Sequence, residues 1–216
     1  MKSKLRIRRF GNLAELMQST KGIKLVLFGN THGFLNDVQT QGTLIAAFKP
    51  KYYLYELLEN RNITSDIEFR RYLSEPNSKN FSVISKFGEL KPVIRMARRY
   101  KLKIIGCDIK NMGRRNREFL SNTGFTKKEK NFEKSLMNRR EEQHARIINN
   151  YVSKTNNPVF ASVGAYHLRK SSKTLSNLKT RDYIMCYPTY KGRQISGAAK
   201  GMNKKNVAYL VKLNRH

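Results

Sequence analysis

The chain has 216 residues and carries 44 Lys+Arg against 15 Asp+Glu, a formal net charge of +29. At 39% hydrophobic residues it can build one core, and its length suits one domain, or one domain with an appendage. No run approaches the ~18 apolar residues of a membrane span. The basic start MKSKLRIRRF leads into no apolar signal region, so an intracellular, cytoplasmic protein is expected. The two cysteines, Cys107 and Cys186, stand in apolar runs and read as buried free thiols.

Residues 1–22 read as a basic arm followed by a short helical pattern at Leu13, Leu16 and Met17. KLVLFG (24–29) is short, apolar and ended by glycine, the signature of a buried strand. A helix with Gly42 inside is expected over 34–48. Pro50 then breaks the chain before a Tyr-rich strand at 52–57. Ser65 followed by Glu68 forms a capping box for a short helix, and SEPNSKN is a loop. KPVIRMARRY (91–100) is a helix with Pro92 near its first turn, and KLKIIGCDI supplies a strand at about 103–108. A long helix over 126–154 opens with Thr126 and Glu129. It is followed by a strand at 158–164, a helix in RKSSKTLSNL, a strand at 182–188 and another at 206–213. This alternation specifies an α/β fold: a mostly parallel sheet with flanking helices. The chain divides into the basic arm (1–22), an α/β domain (23–190) and a basic C-terminal extension (191–216) packed on the same domain.

In a parallel sheet the strand C-termini share one edge, and sites collect there. The strand ending at Gly29 presents His32, and the strand ending YLYEL presents Glu56, with Glu59 just beyond. The strand ending GCDI presents Asp108, and the strand ending at Gly164 presents His167. Two imidazoles and two or three carboxylates then face one crevice, a nitrogen–oxygen set suited to a first-row divalent metal. The Gly-x-x-His spacing occurs twice, at 29–32 and 164–167, and uses two of the four histidines. With 13 Gly and 4 His, roughly a quarter of one such match arises by chance, so one copy alone reads as an ordinary turn and the pair reads as a site.

GNTH, KPKYYLYELLENR, RREEQHA and SVGAYHL, in that order, resemble the signatures of the TraB/Tiki family. This family lies within the superfamily of erythromycin esterase-like and ChaN-like proteins. The matching positions are Gly29 and His32; Pro50, Glu56, Leu57 and Arg61; Arg140 and Glu141; Gly164 and His167. The resemblance spans roughly 24–188 and implies an erythromycin esterase/ChaN-like fold. It further implies His32, Glu56 and His167 as metal ligands, and Arg140 as a site arginine that stabilises an oxyanion or holds a substrate carboxylate. The expected function is a metal-dependent hydrolase acting on a peptide or ester bond through a metal-activated water. Manganese or cobalt is favoured, zinc is an alternative, and Glu59 or Asp108 is the general base. Two features depart from the family pattern: His144 stands where an apolar residue such as Met is usual, and the +29 charge is not a family trait.

The charge supports a second expectation: a basic nucleic-acid-binding protein on the same scaffold, with a non-catalytic or haem-binding crevice. Residues 168–216 hold twelve cations against one acid, Asp182. Tyr187, Tyr190 and Tyr209 are interleaved among them, as bases stacking on aromatic rings would require. Further patches are Arg95, Arg98, Arg99, Lys101 and Lys103, and Arg114, Arg115 and Arg117.

Overall fold

The computed structural model describes residues 8–32, 35–74, 88–110, 127–189 and 207–214. Outside them lie the 75–80 part of the expected loop, Thr126 of the helix start, Arg114, Arg115, Arg117, Tyr190, Arg215 and the cations of 191–206. The side chains of Glu129, Tyr209 and Lys212 are likewise outside the description.

The described elements in chain order are β1 (Arg8–Asn12), α1 (Leu13–Ser19), β2 (Leu25–Asn30), α2 (Leu35–Phe48), β3 (Tyr52–Tyr55), β4 (Asn62–Ile63), α3 (Asp66–Ser74) and α4 (Leu90–Arg99). They continue with β5 (Lys103–Gly106), α5 (Lys127–Val152), β6 (Val159–Gly164), α6 (Lys173–Ser176), β7 (Tyr183–Thr189) and β8 (Val207–Asn214). All eight strands join one sheet in the order β1-β8-β7-β2-β6-β3-β5-β4. Every pairing is parallel except β4–β5. The α/β fold with a mostly parallel sheet is therefore what the sequence specifies.

Parallel strands covered on both faces must be apolar throughout rather than alternating, and all six residues of β2 are buried. Successive side chains still point to opposite faces. Val26, Phe28, Tyr53, Tyr55 and Phe160 enter one core layer with residues of α1 to α4. Leu25, Leu27, Leu54, Val159, Ala161 and Val163 enter the other, with Ile148 of α5, Leu168 and Leu175 of α6. Cys107 and Cys186 are free and buried in these layers.

Two elements differ from the sequence reading in ways that matter for the site. The strand expected over 52–57 stops at Tyr55, and Glu56–Leu58 turn off the sheet as a 3-10 turn. The helix expected in RKSSKTLSNL shortens to α6, capped at its start by Ser172, and a second 3-10 turn, Ala165–Leu168, lies between it and β6. Arg8–Asn12, read as basic arm, forms β1, and the two-residue β4 was not foreseen.

The capping box forms as expected. The Glu68 N–H donates to Ser65 Oγ (3.3 Å), and Glu68 Oε2 accepts from the Ser65 N–H (2.9 Å) and the Thr64 N–H (2.7 Å). Glu68→Ala removes both backbone acceptor contacts and should cost about 1 kcal/mol of stability. Chemical denaturation at neutral pH measures it.

Candidate functional site

The neighbouring strands β2, β6, β3 and β5 run parallel, so their C-terminal ends line one edge of the sheet. Each delivers a functional side chain within a few residues of its end: His32 after β2, His167 in the turn after β6, Glu56 directly after β3, and Asp108 after β5. Arg140, Glu141 and His144 come from the middle of α5, where His144 lies one turn beyond both Arg140 (i, i+4) and Glu141 (i, i+3).

Glu56 is the hub. Its Oε1 accepts from Arg140 Nη2 (2.6 Å) and faces His167 Nε2 (3.2 Å). Its Oε2 accepts from the Gly164 N–H (2.5 Å) and lies 3.9 Å from His32 Nε2. The carboxylate is 2% exposed, and burial alone would push its pKa up. His167, Arg140 and His32 outweigh burial and hold it well below the usual range.

Both Gly-x-x-His histidines turn Nε2 toward Glu56 and Nδ1 toward a second buried carboxylate. His32 Nδ1 is 3.2 Å from Glu89 Oε1, and His167 Nδ1 is 3.4 Å from Glu141 Oε1. Glu89 also accepts from the Tyr55 hydroxyl (2.8 Å) and from Asn30 Nδ2 (3.3 Å). Glu141 accepts from the Arg169 guanidinium and from the Lys173 N–H (2.8 Å). Burial works against the charged imidazole in both cases. The Glu56 and Glu141 carboxylates nevertheless raise His167 to about 9, and Glu89 and Glu56 raise His32. Glu89 and Glu141 were not assigned these roles from sequence. They lie 57 and 26 residues from their histidines, and only Glu141, beside Arg140 in RREE, stood in a motif.

Asp108 forms the other half of the site. Its Oδ1 accepts from the Ile109 N–H (2.7 Å), and its carboxylate receives Arg140 through Nε (2.9 Å) and Nη2 (2.5 Å). Burial would raise Asp108, but His144 and Arg140 beside it prevail and lower it. His144 is fully buried, edge-on to His167 with ring centroids 4.7 Å apart, and its Nε2 is 3.6 Å from Asp108 Oδ2. That is an ion-pair distance and too long for a hydrogen bond; neither ring nitrogen of His144 has a hydrogen-bond partner among the described residues. Glu59 takes a position of its own. Its backbone, at φ 55°, places its carbonyl to accept the Asp108 N–H (3.1 Å), and its carboxylate is 3.5 Å from Arg61.

The two motif glycines do different work. A Cβ on Gly29 would fall 2.4 Å from the Tyr187 ring of β7, so glycine there admits the ring. A Cβ on Gly164 would stand 3.3 Å from His32 Nε2, 3.4 Å from Glu56 Oε2 and 3.6 Å from His167 Cδ2. The bare Gly164 backbone thus leaves an atom-sized hollow where the three groups meet.

Among the described residues, Glu56, Asp108 and His144 form the set of three donors lying within 4.8 Å of one another, a buried carboxylate–histidine cluster spaced to take a metal ion. The His32–Glu56–His167 group is more open and does not meet that spacing. Arg140 already bridges the two carboxylates of the tighter cluster.

No family model matches the chain, and no curated protein matches it. Solved structures do share its architecture. ChaN of Campylobacter jejuni, solved with cofacially bound haem, superposes with a TM-score of 0.54 at 12% identity, over 84% of this chain and 88% of that one. The fold is ChaN-like. The type III effector HopBA1 has it too, with a TM-score of 0.56 at 16% identity, over 99% of this chain and 100% of that one. No described helix is long and apolar enough to cross a membrane.

The raised His167 has a consequence for the metal-free protein. Its folded pKa, about 9, exceeds the ordinary 6.5, so its pairing with Glu56 and Glu141 stabilises the fold fully below pH 6.5. That contribution is lost as pH rises through about 9. Thermal unfolding with chelator present should show falling stability across this window, and His167→Gln should flatten the profile.

Proposed function

We propose that the chain is a metal-dependent hydrolase of the TraB/Tiki type, cleaving a peptide or ester bond with an ion held by His32, Glu56 and His167. One observation carries the reading: both histidines turn Nε2 toward the same carboxylate while a buried carboxylate faces each Nδ1. Metal-ligating histidines are oriented this way, with the second nitrogen committed to an acceptor that fixes the tautomer and raises ligand basicity.

The charge of the site supports the same reading. Four buried carboxylates of the site, Glu56, Glu89 and Glu141 on this group and Asp108 beyond Arg140, face two guanidinium groups, Arg140 and Arg169. Two negative charges are left over. Without metal they favour the protonated imidazoles of His32 and His167, and both pKa values are raised. A divalent cation supplies the same two charges and leaves both imidazoles neutral. The hollow over Gly164 is the natural place for it. The Glu56–Asp108–His144 set suits it less well, because the Arg140 guanidinium already neutralises those carboxylates.

A divalent ion at these ligands supplies Lewis acidity and lowers the pKa of water for hydrolysis. The chain's own residues do the rest. Gly164 N–H and Arg140 fix the two oxygens of Glu56. Asp108, committed to the Ile109 N–H and to Arg140, positions the guanidinium and is a weak base. Arg140, charged and 13% exposed, is suited to an oxyanion or a substrate carboxylate. Glu59 remains the other carboxylate proposed as general base. His32, 24% exposed, marks the side from which substrate enters.

Protein purified without added metal should contain about one equivalent of divalent ion by elemental analysis. His32→Ala and His167→Ala should each lose most of it, with circular dichroism unchanged. Affinity for manganese, cobalt or zinc should rise with pH through the window in which the histidines deprotonate, with up to two protons released on binding. Peptide or ester cleavage should vanish with chelator. Stoichiometric metal in the double variant would overturn the assignment. Haem binding, the alternative that the likeness to ChaN raises, predicts a Soret shift on haem titration that His32→Ala weakens; with no shift, that alternative falls.

A further inference from the structure

A groove of about 540 Å³ lies between α2 and α4, lined by residues of those helices and the turn after α4. This is within the size range of small-ligand pockets. Val38, Gly42, Met96 and Tyr100 supply an apolar floor. Arg95 and Arg99 stand along the α4 wall, Gln39 and Thr43 along the α2 wall, and none of the lining residues is acidic.

Two features of this groove are not explained by folding. The first is the arginine pair. Arg95 and Arg99 are four residues apart on one helix face, about 6 Å along the axis. Their neighbour Arg98 is held by Asp66 at 3.0 Å, whereas Arg95 and Arg99 form no ion pair or hydrogen bond with any described residue. Arg99 is in the last turn, where a cation suits the helix carbonyls; Arg95, a turn earlier, has no such role. The second is Gly42, in the interior of α2. Glycine there costs roughly 1 kcal/mol against alanine, and packing does not require it. A Cβ would meet Met96 Sδ at 3.6 Å and Tyr100 Cε2 at 3.8 Å, ordinary contact distances. What glycine provides is the open floor of the groove.

We propose that this groove binds a nucleotide, its phosphate between Arg95 and Arg99 and its base on the Val38–Met96–Tyr100 floor. Two guanidinium groups match the double negative charge of a terminal phosphate better than the single charge of a carboxylate, and their planar forks suit its oxygens. The apolar floor takes a base, and the Gln39 amide at the rim offers a donor and an acceptor to a base edge or sugar. The nucleotide comes either free or as the phosphorylated end of a single strand, which the strongly basic chain would attract. This site is separate from the hydrolytic centre and does not depend on it.

Equilibrium binding of adenosine monophosphate, of a short 5′-phosphorylated single-stranded oligouridylate and of inorganic phosphate tests it. One of the two nucleotide probes should saturate at one equivalent. Arg95→Glu with Arg99→Glu should weaken that binding by on the order of tenfold or more, Gly42→Leu should do the same by filling the floor, and the exposed Lys154→Glu, beyond the end of α5, should leave it unchanged. Saturation by the mononucleotide identifies a free nucleotide as the ligand; binding of the strand alone, weakened by salt and by the groove variants, identifies nucleic acid. The proposal is overturned if neither nucleotide probe binds, if the arginine pair can be reversed without effect, or if inorganic phosphate binds as tightly as the nucleotide.

Discussion

A carboxylate can be buried only if every oxygen is satisfied and its charge is met. Glu56 meets that requirement with four partners from three places in the chain: Arg140 of α5, the Gly164 N–H and His167 at the end of β6, and His32 after β2. The rest of the site follows from this one group. Arg140, once bound to Glu56, reaches Asp108. His167, once turned toward Glu56, presents its other nitrogen to Glu141, and Glu141 in turn gathers Arg169 and the Lys173 N–H. The edge of the sheet is thereby tied to α5 and α6 by charge as well as by apolar contact.

Much of this was legible in the sequence, for physical reasons that differ by element. Buried parallel strands must be short apolar runs, so KLVLFG, KIIG and PVFASVG announced β2, β5 and β6. Arg8 and Arg9 hid β1, because an edge strand tolerates charges that also mark a basic arm. The 3-10 turns were invisible, since nothing in ELL or AYHL separates a tight turn from a strand end or a helix start. The partners of the histidines were invisible for another reason. Glu89 and Glu141 are brought to His32 and His167 by the tertiary fold, and single-residue contacts across 57 and 26 positions leave no local pattern. A signal for His144 was present: it lies four residues after Arg140, on the same face of a helix.

The acids of this chain are spent inside. At least six of its fifteen, namely Asp37, Glu56, Glu59, Glu89, Asp108 and Glu141, are buried. A surface relieved of acids is more cationic than composition alone implies, and interior carboxylates facing histidines are what give the crevice its negative excess. The fold therefore separates charge, cations outward and anions at the strand ends. The negative groups of the crevice are thereby kept apart from the cations of the exterior.

The sheet order also dictates when the molecule can be completed. β1 pairs with β8, and β8 reaches the sheet through β7. Residues at position 8 thus find their partner only at position 208. On a ribosome, β1 is made early and has nowhere to go until the last strand emerges. The central strands that carry Glu56 and both histidine turns can assemble while that edge is still open. Closing it is the longest-range pairing among the described strands and the one most exposed to wrong pairing, whereas the strand ends that hold the candidate site are joined by pairings nearer in sequence.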